Sequence, residues 1–469
     1  IAKILADNFV DRKGFDWLIG ELGALGGFLF GFVLTFWGFK QTFCMKNFLK
    51  GMVLRMLKAM AKHRLNKFKG KIIGITGSIG KSSIKDAVYT VLNTRFKVKR
   101  TKKNMNSDFG LCLTILDIES GFSSATKWSW FLVKGLFNCM MKDHSEILLL
   151  EVGIDKPGDM DFLTSVVKPD MVIFTGVSPV HMNEGQFSSL EEIFNEKHKL
   201  VESMREHGVA ILNVDNDLLA GLSKKRGRKS TITYGKDREA DFWASQIKQD
   251  LEGFSFVLHH DSRHYEVKAP IVGEYQVFVL MPAIIAGVLM GMTVEDAVEA
   301  ISKYSLPPGR MSIIPAINEA TILDSSYNAS PEAVKEALDT LAKVAVGKRK
   351  IAVLGNMNEL GKHMQIMHEA IGAVVPKCAD ILITVGDDAK IIAEKAKEGG
   401  MNGKNVFSFK TSLEAAGFFA DKIKKNDVIL VKGSQNNVRL ERFVKALMAE
   451  PEKAKDLLVR QEAAWITKL

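Results

Sequence analysis

The chain has 469 residues, of which 46% are hydrophobic and 25% charged, with only 11 prolines and 4 cysteines. A length of roughly three domains and this composition exclude disordered, collagen-like and low-complexity proteins. The four cysteines lie far apart, so neither a disulfide framework nor a structural zinc site is expected.

The net charge of +10 comes from one local block of the chain. Between Lys40 and Lys71 there are ten Lys and Arg residues and no Asp or Glu, and subtracting these ten leaves the remaining chain neutral. A basic surface spread over the folded body is therefore absent, and we expect no nucleic-acid partner. We also expect a monomer.

The first predicted element is a membrane segment within residues 1–40. Residues 17–39 read WLIGELGALGGFLFGFVLTFWGF, with Glu21 as the only charge and Trp17 and Trp37 near the ends. A helix of this length spans ~34 Å, enough to cross a hydrocarbon core of ~30 Å, and tryptophans favour its two interfaces. The alternative is a glycine-rich buried helix or hairpin of a soluble domain.

The charge that flanks this segment predicts its orientation. Three basic residues precede it and ten follow it, so the positive-inside rule places the chain from Lys40 onward at the cytoplasmic face of the plasma membrane. Residues 41–70 mix Met, Leu and Lys at helical spacing and predict a basic amphipathic linker helix on an anionic membrane surface. A solvated connector helix is the alternative. Either way, a chain that starts near Lys69 is expected to be soluble and to keep its chemistry.

Residues 71–92 predict a strand, a glycine loop and a helix. The strand KIIGIT precedes GSIGKSS, in which Gly77 and Gly80 let backbone N–H groups approach phosphate oxygens at a helix N-terminus. Lys81 would reach the outer phosphates, and the Ser82 hydroxyl would contact Mg²⁺. The residues predicted to bind the nucleotide here are Thr76, Gly77, Ser78, Gly80, Lys81, Ser82 and Ser83.

Two further strands end in candidate metal ligands. Glu151 ends the apolar strand EILLLE, and a carboxylate at the mouth of a parallel sheet suits Mg²⁺; a helix cap or a surface carboxylate is the alternative. His181 follows the strand MVIFTGV, although a single histidine is more often structural.

These features, with further motifs in a fixed order, resemble the Mur ligase family of ATP-dependent amide-forming enzymes of peptidoglycan synthesis. The motifs are NMNSDFG at 104–110, ILNVDND at 211–217, LPPGRM at 306–311, DSSYNASPEAV at 324–334, LGNMNELG at 354–361 and LVKGSQ at 430–435. The resemblance implies an α/β fold with a central P-loop ATPase domain at 71–309 and a C-terminal Rossmann-like ligase domain at 310–469. It also implies that the usual N-terminal substrate domain is lacking, and that the membrane segment and basic helix occupy its place.

The resemblance also assigns site residues. Lys197 matches a lysine that the family carries as a carbamate, which with His181 would hold a second Mg²⁺; Lys199 is the nearby competitor. The catalytic and metal set would then be Lys81, Ser82, Glu151, His181 and Lys197. Asn213, Arg310, Asp324 and Asn328 would contact ATP, and Asn104, Asn106, Lys432 and Ser434 would contact the substrates.

The implied activity uses ATP and Mg²⁺ to join D-alanyl-D-alanine to a UDP-muramyl-tripeptide through an acyl-phosphate. The substrates would thus be a nucleotide-sugar peptide and a dipeptide. Two alternatives stay open, namely a related ligase with a folate, amino-acid polymer or lipid-linked acceptor, and a non-catalytic membrane scaffold that binds ATP. Residues 127–141, KWSWFLVKGLFNCMM, predict a helix over the central sheet, or a second membrane contact if its two tryptophans are exposed.

Overall fold

The computed structural model describes residues 43–102, 105–118, 125–178, 186–227, 230–358, 360–434, 438–462 and 465. The predicted membrane segment, Asn104 and His181 lie outside these ranges. Within the described ranges, no helix combines the length and the apolar content that a membrane span requires. The chain divides into a first unit, residues 1–85 and 95–232, and a second unit, residues 86–94 and 233–469. This division differs from the predicted boundary at 309/310, which stays a prediction.

The first unit is built on a parallel sheet of five strands in the order β2-β3-β1-β4-β5. The strands are β1 (Lys71–Thr76), β2 (Val98–Arg100), β3 (Ile147–Glu151), β4 (Met171–Phe174) and β5 (Val209–Asn213). β3 and β4 are buried along their whole length, as continuous Ile, Leu and Val runs favour in a sheet covered on both faces. Because the strands are parallel, their carboxyl ends share one edge, where ligands bind in such sheets.

In the described ranges, seven helices connect or cover these strands. They are α1 (Phe43–Lys67), α2 (Lys81–Leu92), α3 (Asp108–Ile115), α4 (Ala125–Met140), α5 (Asp159–Val166), α6 (Leu190–Glu202) and α7 (Asp217–Arg226). The strand and the helix predicted around the glycine loop are confirmed as β1 and α2. The second half of α2, from Asp86, belongs to the second unit.

Helix α1 corrects the prediction of a membrane-surface linker. Its side chains Leu57, Met60 and Ala61 are at most 4% exposed and pack in the core of the first unit against α3, α4 and α5. Part of its basic charge is also used internally, since Arg64 bonds Asp117 at 2.7 Å and Asp143 at 3.3 Å. The sequence pattern was compatible with either partner, but protein already covers this apolar face. A chain starting near Lys69 would uncover that core, which argues against the expected soluble truncation.

Replacing Leu57 by alanine is expected to lower the free energy of unfolding by about 2–4 kcal/mol, because it leaves a cavity in a fully buried site. The urea midpoint of the full chain measures this loss. Lys62→Ala, at an exposed position of the same helix, is the matched control and should change the free energy of unfolding by less than about 0.5 kcal/mol. Equal midpoints for both variants would contradict the core role of α1.

The second unit contains an antiparallel meander and a six-stranded sheet. The meander strands are β7 (Phe242–Gln249), β8 (Phe254–His260) and β9 (Arg263–Ala269), and β6 (Thr231–Gly235) pairs in parallel with β7. The second sheet has the order β10-β11-β15-β12-β13-β14, with only β10 antiparallel. Its strands are β10 (Ser312–Pro315), β11 (Thr321–Ser325), β12 (Lys350–Gly355), β13 (Ile381–Val385), β14 (Val406–Phe409) and β15 (Val428–Lys432). Short strands alternate with helices after Ala320, as is typical of an α/β sheet.

The helices of the second unit include one long apolar helix. Helix α8 (Val277–Leu289) contains Pro282 and is buried along most of its length. The others are α9 (Val294–Ile301), α10 (Pro331–Val344), α11 (Met364–Cys378), α12 (Ala389–Glu398), α13 (Ser412–Ala420), α14 (Glu441–Leu447) and α15 (Ala454–Leu457).

Candidate active site

The carboxyl edge of the first sheet carries the predicted nucleotide residues. β1 leads into the loop 77–80, β3 ends at Glu151, and β5 ends at Asn213. The register aligns Ile75 with Glu151 on the neighbouring strand. Residues far apart in the chain therefore meet at one edge.

Glycine is required in the loop by both conformation and space. Gly77 has φ +144°, and a Cβ there would lie 2.0 Å from Thr175 Oγ1. Thr175 Oγ1 donates to the Ile79 carbonyl at 2.7 Å, and Ser78 N donates to the Gly176 carbonyl at 2.9 Å. The segment after β4 thus holds the loop through these two hydrogen bonds. The sequence did not predict this role of Thr175 and Gly176.

Lys81 lies at the first position of α2 and folds back over the loop. Its Nζ donates to the Gly77 carbonyl at 2.7 Å and to the Ser78 carbonyl at 3.3 Å. The ammonium group is thereby held where the loop N–H groups and the N-terminus of α2 favour phosphate oxygens. Ser83 lies beside it in the first turn of α2.

Glu151 is the centre of a buried polar cluster. The carboxylate is 1% exposed and accepts hydrogen bonds from Ser82 Oγ at 2.9 and 3.0 Å and from Asn106 Nδ2 at 3.0 Å. Lys85 Nζ bonds the same carboxylate at 3.0 Å. Asn106, predicted to contact substrate, therefore lies against the candidate metal ligand. Lys85 was missed, although it lies three residues after Ser82, which is the spacing of one helix face.

The donor set of this cluster fits Mg²⁺. The ion prefers oxygen ligands and is commonly held by one or two carboxylates with substrate phosphates and water. Glu151 and the adjacent Ser82 hydroxyl supply a carboxylate and a hydroxyl beside the phosphate loop, and they would hold the ion. Once bound, Mg²⁺ would neutralise phosphate charge during transfer.

Lys197 lies inside the protein beneath the loop. It is 1% exposed, and its Nζ donates to the Gly77 carbonyl at 3.1 Å. Burial and then the charge of Lys81 lower the pKa of Lys197 to about 7. A large fraction of this amine is consequently neutral near pH 7, as reaction with CO₂ requires.

Lys199 occupies a different environment, although it is only two residues away. Its Nζ bonds Asp161 at 2.8 Å and Glu196 at 2.9 Å on the outer side of α6, and these carboxylates raise the pKa of Lys199. Glu196 itself accepts from Gly158 N and Met160 N at the start of α5. The geometry therefore brings Lys197, and not Lys199, to the phosphate loop.

Two other predicted nucleotide residues lie at the carboxyl ends of β5 and β1. Asn213 Nδ2 donates to the Thr175 carbonyl at 3.3 Å, and its Oδ1 accepts from Asp215 N at 3.1 Å. Thr76 is fully buried, and its Oγ1 has no hydrogen-bond partner within the described ranges. Asn213 thus lies at the same edge as the loop, while its contact with the base stays a prediction.

The second unit brings together the other five predicted residues, Arg310, Asp324, Asn328, Lys432 and Ser434, at the carboxyl edge of its own sheet. Lys432 is buried, and its Nζ donates to Ser325 Oγ at 3.1 Å and to the Asn328 carbonyl at 3.0 Å. Ser434 is also buried and donates to the Ala329 carbonyl at 3.3 Å. Burial, followed by the charge of Arg310, lowers the pKa of Lys432 to about 8. Both side chains thus bond the end of β11 and the loop after it, and their substrate role stays a prediction.

That loop, residues 326–328, is held by a buried ionic cluster that the sequence did not reveal. Arg460 donates to the Ser326 carbonyl at 3.2 Å and pairs with Glu441, which also pairs with Arg439. Arg310 lies over the Tyr327 ring at 4.6 Å. The predicted ATP contact Asn328 is exposed beside it.

Asp324 gives a prediction about pH. Burial raises the pKa of Asp324 to about 6, and its Oδ1 accepts from Ser326 N at 3.0 Å. The pKa of an aspartate in an unfolded chain is about 4. The free energy of unfolding should therefore fall as pH rises from about 4 to about 6, and above pH 6 the full cost of the buried charge applies.

Asp324→Asn removes this penalty and keeps the acceptor for Ser326. Its free energy of unfolding should therefore exceed that of the natural protein by about 1–3 kcal/mol above pH 6 and match it near pH 4. Urea unfolding across this pH range measures the difference. Asp339→Asn, at an exposed carboxylate of α10, is the control. A difference that does not change with pH would contradict the assignment.

Comparison with known proteins agrees with this architecture. Domain models match the Mur ligase middle domain over residues 75–287 and the Mur ligase glutamate ligase domain over residues 309–435. The UDP-N-acetylmuramoyl-tripeptide–D-alanyl-D-alanine ligase of Bacillus subtilis (strain 168) is 30% identical over 400 residues, which cover 85% of this chain and 80% of that protein.

Solved structures are similar over the same span. A MurF ligase from Thermotoga maritima in complex with ADP matches with a TM-score of 0.68 and 25% identity, covering 85% of this chain and 84% of that one. MurF from Acinetobacter baumannii matches in fold with a TM-score of 0.70 at 21% identity, covering 84% of this chain and 79% of that one. The chain belongs to the Mur ligase family.

Proposed function

We propose that this protein is an ATP-dependent amide ligase that joins D-alanyl-D-alanine to UDP-N-acetylmuramoyl-tripeptide in peptidoglycan precursor synthesis. The names of its relatives supply the substrates. The observation that carries the proposal for this chain is the site itself, where a glycine loop, Lys81, a Ser82–Glu151 pair and a buried Lys197 lie together.

The chemistry follows from the need to activate a carboxylate. An oxygen of the peptide carboxylate attacks the terminal phosphorus of ATP and ADP leaves, which forms an acyl-phosphate. The dipeptide amine then attacks the acyl carbon, loses a proton and expels phosphate. Because charge develops on phosphate oxygens, the protein contributes mainly position and cationic groups, which Lys81 and the loop N–H groups provide.

Phosphate release by the full chain tests the proposal. We expect release from ATP only when both UDP-N-acetylmuramoyl-tripeptide and D-alanyl-D-alanine are present, with the amide product found by mass spectrometry. Panels that replace the acceptor by a folate, an amino-acid polymer or a lipid-linked precursor test the alternative ligases. Turnover with one of these alone would replace the proposed substrates, and binding of ATP without any turnover would favour the scaffold.

We also propose that the enzyme works at the cytoplasmic face of the plasma membrane, with residues 17–39 as a spanning segment. The apolar length of that segment and the basic residues after it support this placement. The full chain should then stay with membranes in high salt and leave them in detergent, because apolar transfer rather than screened charge holds it. Release by salt alone would contradict a spanning segment.

A further inference from the structure

Helix α4 exposes an apolar stripe on the surface of the first unit. Trp130 is 65% exposed, Val133 45% and Phe137 56%, and Met141, just after the helix, is 51% exposed. Their spacing of three, four and four residues places them within an arc of about 80°. The opposite side of α4 is buried in the core through Leu132, Leu136 and Cys139.

This stripe is concentrated, whereas the other exposed apolar side chains are scattered. The large exposed hydrophobic residues elsewhere in the described ranges are Ile79, Leu190, Leu289, Val346, Ile366 and Leu413. Single exposed residues of this kind need no explanation, but a contiguous set on one helix face indicates an interaction surface. The condition expected for a membrane contact, exposure of both tryptophans, is met by Trp130 but not by Trp128, which is partly buried and packs edge-on against Phe109.

The stripe helix and the helix packed on its buried face carry basic but no acidic residues. Helices α1 and α4 contain lysines and arginines but no aspartate or glutamate. Lys134 and Lys142 are exposed beside the stripe, and Arg55 and Lys62 are exposed on α1.

The two helices are also in close contact. A Cβ at Gly135 of α4 would lie 3.4 Å from the Met60 Cε of α1. α1 begins at Phe43, only four residues after the apolar run 17–39 ends. The stripe therefore belongs to a helix packed directly on the first described helix after the proposed spanning segment.

We propose that the stripe Trp130–Val133–Phe137–Met141 inserts into the headgroup region of an anionic bilayer. A stripe of apolar and aromatic side chains about 16 Å long, with lysines beside it and no acidic residue on its helix, has the character of an interfacial helix. The adjacent chain would keep it close to that surface. This inference rests on the proposed membrane location.

Two other occupants fit the surface less well. A second copy paired through the same stripe would bring the same lysines together, and like charges oppose such an interface. The segment 17–39, folded back over the stripe, would offer only Glu21 to the surrounding basic groups. An anionic lipid surface satisfies both the apolar and the basic side chains.

The test measures whether Trp130 contacts lipid in the full chain. Protein is reconstituted into vesicles of phosphatidylglycerol and phosphatidylcholine, with or without bromine on the acyl chains near the headgroup, which quenches nearby tryptophans. Trp17 and Trp37 of the proposed span are quenched as well, so the contribution of Trp130 is the difference between the natural protein and Trp130→Phe.

We expect the Trp130 contribution to be quenched, and Val133→Ser/Phe137→Ser to reduce that quenching by about half or more. Ile366→Ser/Leu413→Ser, a matched pair of exposed apolar positions in the second unit, should not change it. The stripe variant should keep its thermal midpoint and ATP turnover, because both side chains already lie at the surface.

Three results would overturn the inference. Trp130 of the vesicle-bound protein could stay as accessible to aqueous acrylamide as it is without lipid. It could be shielded without lipid in a concentration-dependent way, which would indicate a second copy. It could be shielded without lipid at all concentrations, which would indicate the segment 17–39. Failure of the full chain to sediment with vesicles would instead refute the membrane location itself, so the two failures are distinguishable.

Discussion

Lys81→Ala is expected to lower ATP-dependent phosphate release by at least about a hundredfold, the cost typical of removing one group that stabilises transferring charge. The side chain projects from the first turn of α2 over the loop, with its Nζ 2.7 Å from the Gly77 carbonyl. The removed ammonium serves the phosphates, because the loop itself is shaped by Gly77, Gly80 and the bonds to Thr175 and Gly176. Initial rates of phosphate release at saturating substrates measure the effect.

The fold should survive this change. Circular dichroism and the thermal midpoint of Lys81→Ala should resemble those of the natural protein, since the described bonds to the Gly77 and Ser78 carbonyls are only partly buried. Lys224→Ala, which removes a lysine from the surface of α7, is the matched control and should keep full activity. Natural rates of phosphate release in Lys81→Ala would refute the nucleotide site.

Local sequence was enough to predict the phosphate loop and the candidate metal ligand. Both depend on short-range signals, a strand followed by glycines and Lys-Ser-Ser, or an apolar strand that ends in a carboxylate. The parallel register then brings Glu151 to the loop, because strands of a parallel sheet end at one edge. Asn104 and His181 belong to the predicted set but lie outside the described residues, so their positions stay predictions.

Long-range packing decided what the sequence left open. The apolar residues of α1 could face lipid or protein, and only the positions of α3, α4 and α5 show that Leu57 and Met60 are core. The pairing of Glu441 with Arg460 was equally invisible, because a charged residue near a chain end usually faces solvent. Lys197 looked like a solvated lysine of an amphipathic helix, and its burial depends on a loop that is 120 residues earlier in the chain.

Lys197→Ala is expected to lower turnover by at least about a hundredfold, a loss similar to that of Lys81→Ala. The natural amine is 1% exposed, and its lowered pKa of about 7 leaves about half of it neutral at pH 7. The neutral amine can attack CO₂ and release one proton, which turns the buried amine into a carbamate anion beside the phosphate loop. Without that side chain the site lacks an anion that the resemblance assigns to holding a second Mg²⁺. Phosphate release with both substrates measures the loss.

Rescue separates the carbamate from a purely structural lysine. Formate or acetate added to Lys197→Ala should restore part of the turnover, because a free carboxylate can enter the space that the side chain leaves. Lys197→Met fills most of that space and should be equally inactive but not rescued. Lys199→Ala, which removes an ammonium paired with Asp161 and Glu196 on the outer side of α6, should keep its activity within about threefold. Full activity in Lys197→Ala together with loss of activity in Lys199→Ala would mean that the carbamate forms on Lys199. Rescue of Lys197→Met would show that the added carboxylate acts elsewhere.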